Sequence, residues 1–201
     1  MVVAQSVAEL TIGLIISAAR MIPLHDRLVK EGKWPKGVFQ GVELKGETLG
    51  IIGLGNVGMR VAKIVKAIGM DIIAYDARDL SPTACQLGIR FVKNMDELLR
   101  ESDVIPIHVP LTKDTYHLID ERAFRLMKSG VIIVNTSRGA AIDSKALLRA
   151  LKEGKVRAAA LDVLENEPPR HPWEIKIIKD SRAIMLTIHL DFQDENLSHY
   201  Q

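Results

Sequence analysis

One stretch constrains the fold of this chain more than any other: Leu49-Gly50-Ile51-Ile52-Gly53-Leu54-Gly55-Asn56-Val57-Gly58. An apolar run of strand length passes into G-x-G-x-x-G. A helical pattern starts at once, with Val61, Ile64, Val65 and Ile68 on one face. A second apolar run, Asp71 to Tyr75, then delivers Asp76. This order is that of a βαβ unit whose helix N-terminus offers bare N–H groups to a phosphate. Gly53 permits the tight turn, Gly55 lets the backbone approach a pyrophosphate, and Gly58 lets the helix lie against the sheet. Asp76 follows about 20 residues on, where a carboxylate accepts hydrogen bonds from an adenosine ribose. Glycine clusters also make ordinary turns, so the loop by itself is weak. The strand before it, the helix after it and the acid beyond make it a dinucleotide fingerprint.

The same alternation continues. Strands are expected at Arg90 to Val92, Asp103 to His108, Val131 to Asn135, Val156 to Leu161 and Ala183 to Thr187, separated by single helices. Such a series predicts an α/β fold of Rossmann type, a doubly wound parallel sheet covered on both faces. It forms one domain, expected over residues 47–190 and followed by a tail at 191–201. Residues 1–46 read as a helical and extended arm. Ser6 with Glu9 has the spacing of a capping box, and the helix it starts runs to about Ile22 and breaks at Pro23. The middle of that helix, Leu10 to Ile16, is apolar around most of its circumference, which implies a second burial partner in another subunit or domain.

Composition excludes several classes. With 27 basic and 25 acidic residues the net charge is only +2, so no strong field argues for nucleic acid or an anionic membrane. The apolar stretch Leu10 to Ala19 is too short to span a bilayer and is no secretory signal, so a cytoplasmic protein is expected. The lone Cys85 excludes an internal disulfide, and no His, Cys or acid cluster has metal-ligand spacing. His25, His117, His171 and His199 belong to no motif and read as surface residues.

In a parallel sheet of this type ligands bind beyond the carboxyl ends of the strands. The polar residues there are Gly53 to Gly58, Asp76, His108 with Val109 and Pro110, Thr136-Ser137-Arg138-Gly139, Asp162 and His189, with Glu167 nearby. An arginine that holds and polarises a carbonyl, a histidine that gives or takes a hydroxyl proton, and an acid that orients the histidine make a hydride-transfer constellation.

On these residues the chain resembles the nucleotide-binding domain of the D-2-hydroxyacid dehydrogenase family, near its phosphoglycerate, glyoxylate and hydroxypyruvate reductase branches. The motifs that carry the resemblance are Ser6 to Leu10, Gly53 to Gly58, Ala74 to Asp76, Ser102 to Ile105, His108 to Thr112, Asn135 to Gly139, Ala160 to Pro168, and Thr187 with His189. It implies Arg138 as substrate-binding arginine, His189 as acid/base and Glu167 as its carboxylate partner. It further implies Asp162 at the nicotinamide carboxamide, Asn56 and Val57 at the pyrophosphate, Asp76 at the adenosine ribose, and Val109, Thr136 and Ser137 along the cofactor. The partners implied are NAD(H), a 2-hydroxy or 2-keto acid, and a second copy of the chain in a homodimer. Asp76 favours NAD over NADP, and Arg78, two residues on, is placed to soften the repulsion of a 2′-phosphate.

Two departures from the family pattern qualify the expectation. The chain begins almost at the expected interdomain connection, so a substrate domain is not expected within it. Where the family has a small, glycine-containing turn after its histidine, this chain has Leu190-Asp191-Phe192-Gln193. The expected behaviour is that of a cofactor-binding domain with little or no turnover alone. The alternatives are a non-enzymatic NAD-sensing module of corepressor type, and a different nucleotide ligand such as S-adenosylmethionine.

Overall fold

The structure is a computed structural model that describes residues 3–37 and 40–186. Its strands are β1 (Thr48–Ile52), β2 (Asp71–Tyr75), β3 (Arg90–Phe91), β4 (Val104–Ile107), β5 (Val131–Asn135), β6 (Val156–Leu161) and β7 (Ala183–Met185). Its helices are α1 (Val3–Arg20), α2 (Ile22–Lys30), α3 (Asn56–Ile68), α4 (Ser81–Leu87), α5 (Met95–Glu101), α6 (Glu121–Leu126), α7 (Ser144–Lys152) and α8 (Pro172–Lys179). The seven strands are parallel throughout, in the order β3-β2-β1-β4-β5-β6-β7. The chain moves outward from β1 to β3, then crosses back to β4 and moves outward the other way. The crevice between β1 and β4 is therefore the switch point where such sheets bind ligands.

Both faces of the sheet are apolar because the central strands are continuous apolar runs. On one face Leu49, Ile51, Val104, Ile132 and Val134 pack with Leu14 and Ile15 of α1 and Val61 and Val65 of α3. On the other, Ile52, Ile105, Ile107 and Ile133 pack with Leu98 and Leu99 of α5, Phe124 of α6 and Leu147 and Leu151 of α7. Side-chain oxygens start the shorter helices: Asn94 accepts from Asp96 N, Asp120 from Ala123 N, and Asp143 from Lys145 N and Ala146 N.

The doubly wound sheet agrees with the reading of the sequence, and β5 and β6 fall on the expected residues. The N-terminal arm is a correction. Helix α1 spans Val3–Arg20, so Ser6 lies inside it and does not cap it. Alanines at 4 and 8 carry the helix past the capping signal. Met21 takes a left-handed conformation and the chain re-enters α2, in which Pro23 occupies the first turn, where a missing N–H costs nothing. The arm is thus two helices before the extended stretch. The single helix expected between β6 and β7 is α8, to which the sequence reading gives no bounds. The all-round apolar character of α1 is partly satisfied within the domain: Ala8, Thr11, Leu14, Ile15, Ala18 and Ala19 are buried, while Val3 and Ile16 stay exposed. By length and composition α1 is apolar enough to cross a membrane, but a third of it is buried, with its inner face on α3 and the sheet.

Candidate active site

The glycine loop has the geometry its residues demand. Gly53 sits at φ +96°, and its N–H donates to Tyr75 O at 2.8 Å. A Cβ on Gly53 would overlap the His108 carbonyl, and one on Gly58 would overlap the carbonyl of Gly53. Gly55 caps α3, and nothing lies within 4 Å of where its Cβ would be. The packed sides of the loop are therefore Gly53 and Gly58, and the open side is Gly55. The first-turn N–H groups of α3 lie at that open side.

Asp76 closes the β2 end of the crevice. Its Oδ2 accepts from Leu54 N at 3.0 Å, which ties the acid to the glycine loop. Its Oδ1 accepts from Arg78 N at 3.0 Å and Arg78 Nε at 3.1 Å. Burial works to raise the carboxyl's pKa, but the Arg78 guanidinium and the backbone N–H groups of Arg78 and Leu54 together outweigh it and hold the group below the usual carboxylate range.

At the end of β4, His108 donates its backbone N–H to Ile52 O at 2.8 Å, so the β4 loop is fastened to β1 across the switch point. The His108 Nε2 is buried and has no hydrogen-bond partner among the described residues. Burial lowers the ring's pKa from 6.5 to about 4, so the imidazole is neutral near pH 7. Val109 and Pro110 follow, and Thr115 Oγ1 bonds Pro110 O at 2.6 Å and Thr112 N at 2.7 Å to hold the loop they begin.

Beyond β5, buried Asn135 organises the turn that carries the arginine. Its Oδ1 accepts from Ser137 N and Ser137 Oγ, both at 3.0 Å, and its Nδ2 donates to Arg138 O at 2.9 Å. Arg138 is exposed, with Nη1 bonded to Ser137 O at 2.7 Å. Thr136 Oγ1 lies 2.9 Å from Thr11 Oγ1, so α1 supports this turn from beneath.

The β6 loop lies alongside. Asp162 N donates to Asn135 O at 3.0 Å. Glu167 is exposed at the end of the loop, and its Oε1 accepts from Leu164 N at 2.8 Å. The three loops are joined: Gly139 packs directly on the Leu164 carbonyl, His117 N donates to Ala140 O at 2.8 Å, and His117 Nε2 meets Glu165 Oε1 at 2.7 Å. The Gly53–Gly58 loop, Asp76, His108 to Pro110, Thr136 to Arg138, Asp162 and Glu167 are thus assembled on one edge of the sheet. His189, the remaining expected site residue, lies outside the described residues.

This arrangement fits a bound dinucleotide. The open side of Gly55 gives room for phosphates at a helix N-terminus, and the orphaned His108 Nε2 offers one unspent polar atom beside the switch point. The model for the D-isomer specific 2-hydroxyacid dehydrogenase NAD binding domain matches residues 12–190. The chain belongs to this family. Its NAD-binding domain is 52% identical over 165 residues to D-3-phosphoglycerate dehydrogenase of Methanocaldococcus jannaschii, covering 82% of this chain and 32% of that protein. A glyoxylate reductase from Paecilomyes thermophila superposes with a TM-score of 0.84 at 40% identity, over 92% of this chain and 55% of that one. D-lactate dehydrogenase from Aquifex aeolicus, crystallised with NAD and lactic acid, superposes at 0.81 and 35% identity, over 91% and 59% of the two chains. The chain therefore spans between about a third and somewhat over half of the length of these relatives, and NAD is the cofactor of the domain they share.

Some residues that build the site were not singled out from the sequence. His117 is a correction: read as a surface residue without a role, it is part-buried, stacks on Tyr116 at 4.0 Å and bonds Glu165. His171 also has a local task, preceding α8 and stacking on Trp173 at 4.4 Å. Glu174 is fully buried and accepts from Asn166 N, Asn166 Nδ2, Arg170 N and His171 N at 2.9–3.1 Å. It thereby shapes the loop that bears Glu167. Pro172 at the first helical position with Glu174 in the first turn is the helix-start signal that points to it.

Proposed function

We propose that this domain binds NAD(H) through Gly53 to Gly58, Asp76, His108 to Pro110, Thr136, Ser137 and Asp162, and serves an oxidoreductase acting on 2-hydroxy and 2-keto acids. The observation that carries the reading is the assembly of the Arg138 turn and the Glu167 loop side by side at the switch-point edge, joined through Gly139 and Leu164. When bound, the nicotinamide supplies the two-electron redox chemistry. Arg138, exposed and charged, holds the carboxylate and polarises the C2 oxygen of the acid. His189 moves the proton of the C2 hydroxyl, and Glu167 orients its ring and favours its charged form.

Positioning supplies much of such a rate enhancement. The backbone groups that would grip the substrate from a second domain are not among the residues of this chain that match the family. Turnover by the chain alone is accordingly slow or nil, while NADH binding is retained. Titration with NADH, followed by an assay of NADH oxidation with glyoxylate and hydroxypyruvate, tests both halves. Rapid oxidation by the 201-residue chain would overturn the second half. NADH binding without turnover in any longer form of the protein would leave a NAD-sensing module instead.

The domain forms a homodimer in this reading. Support comes from the apolar side chains the arm leaves in solvent, Ile16 on α1, Ile22 and Val29 on α2, and Trp34, which is 78% exposed. A monomeric mass by sedimentation at micromolar concentration would overturn this. A cytoplasmic setting goes with this reading of the domain as part of a 2-hydroxyacid oxidoreductase.

A further inference from the structure

The acid that reads the adenosine ribose is already engaged by a neighbouring cation. Each Asp76 oxygen carries one backbone donor, Leu54 N on Oδ2 and Arg78 N on Oδ1, both at 3.0 Å. The remaining acceptor capacity is taken by the Arg78 side chain, Nε on Oδ1 at 3.1 Å and Nη2 on Oδ2 at 3.3 Å. The two partners differ sharply in environment: the Asp76 side chain is 10% exposed and that of Arg78 is 69% exposed. The carboxylate is fixed by the loop and strand, whereas the guanidinium reaches it from solvent on a flexible stem and is free to turn elsewhere. The next acid, Asp79, is occupied by Ser81, accepting from its N–H at 3.0 Å and from its hydroxyl, and does not hold Arg78.

A bare carboxylate at this position welcomes a ribose 2′-hydroxyl and repels a 2′-phosphate. Here the repelling charge has a guanidinium within hydrogen-bond distance, and a guanidinium is the side chain whose fork best matches a phosphate. We propose that Arg78 is a specificity-determining residue that relaxes this domain's preference for NAD(H): it covers Asp76 when no cofactor is present, yields ribose acceptor sites to NAD(H), and turns onto the 2′-phosphate of NADP(H). This rests on the strand-end crevice being the dinucleotide site. It adds that the acid at the end of β2 does not by itself exclude the phosphorylated cofactor.

The test is a pair of fluorescence titrations, with NADH and NADPH, on the wild-type chain and on Arg78→Ala and Arg78→Gln. In the wild type the NADPH dissociation constant lies within about 30-fold of that for NADH, and it rises more steeply with added salt because an exposed charge pair is screened. Both substitutions weaken NADPH by about tenfold or more, the scale of one hydrogen bond to a charged group. They change NADH by less than about threefold, since they free acceptor sites on Asp76 as well as removing a cation. Retained NADH binding shows that the variants are folded. A NADPH-to-NADH ratio unchanged by either substitution, with NADH still bound, overturns the proposal alone. Failure of the wild-type chain to bind NADH overturns the reading of the crevice and the proposal with it.

Discussion

Gly139 lies so close against Leu164 that a Cβ on the glycine would overlap the Leu164 carbonyl and come within 2.5 Å of Glu165 N. Backbone meets backbone there, so neither side can yield by turning a side chain. The contact joins the turn bearing Arg138 to the loop bearing Glu167. Gly139→Ala should cost about 3 kcal/mol in urea-unfolding free energy, at the upper end of overpacking penalties. In a longer, active form it should lower kcat/KM by prising the two loops apart. A variant as stable as the wild type would show that the loops are not held at this point.

Gly55 and Gly58 should respond differently to the same substitution. Gly58→Ala drives a methyl group into the Gly53 carbonyl and should destabilise the free domain by about 1–3 kcal/mol. Gly55→Ala places its methyl in open space, so the loss should be no more than about 1 kcal/mol, for a poorer helix cap. Its effect should fall on NADH affinity, which drops by tenfold or more as the methyl group occupies the approach to the phosphates. Calorimetry and urea unfolding of both variants separate the two roles, and equal loss of affinity with equal loss of stability would contradict them.

The parts of this fold that could be read from the sequence are those where the backbone itself restricts residue type. Gly53 and Gly58 are glycines because a Cβ collides with backbone, and β5 and β6 are unbroken apolar runs because both faces of the strand are covered. Local signals misled at the arm, where Ser6 resembles a cap inside a longer helix and Pro23 resembles a stop while sitting in a first turn. Contacts between residues far apart in the chain were out of reach: Thr11 with Thr136 spans 125 positions, and His117 with Glu165 spans 48. Neither carries a local pattern, yet both hold loops of the candidate site.

The pH dependence of stability should carry a signature of His108. Its ring has an ordinary pKa of 6.5, lowered to about 4 in the folded state by burial. As pH falls from about 6.5 towards 4, the unfolded chain takes up the proton and the folded one does not, so unfolding becomes easier. The contribution is complete above about pH 6.5. It declines by about 3 kcal/mol by pH 4 and then changes no further. The Asp76 carboxyl, held below its usual value, adds a separate loss at more acidic pH, through its folded pKa. Urea unfolding of the wild type and His108→Gln at several pH values from 7 to 4 isolates the first effect. The variant should show a flatter slope between pH 6.5 and 4, and parallel slopes would mean that His108 is protonated in the folded domain.

Glu174 should matter more than its distance from the reaction suggests. Its carboxylate is fully buried, and burial alone would raise its pKa. The backbone N–H groups of His171, Arg170 and Asn166, with the Asn166 side chain, outweigh that and hold it ionised. Glu174→Ala strands three loop N–H groups without an acceptor and should cost about 3–5 kcal/mol. Glu174→Gln keeps one carbonyl oxygen and should cost about half as much. Because the donors all come from residues 166–171, hydrogen exchange in the alanine variant should rise first in that loop, while β5 and β6 stay protected. If the loop exchanges no faster in Glu174→Ala than in the wild type, the carboxylate is not what shapes the segment that bears Glu167.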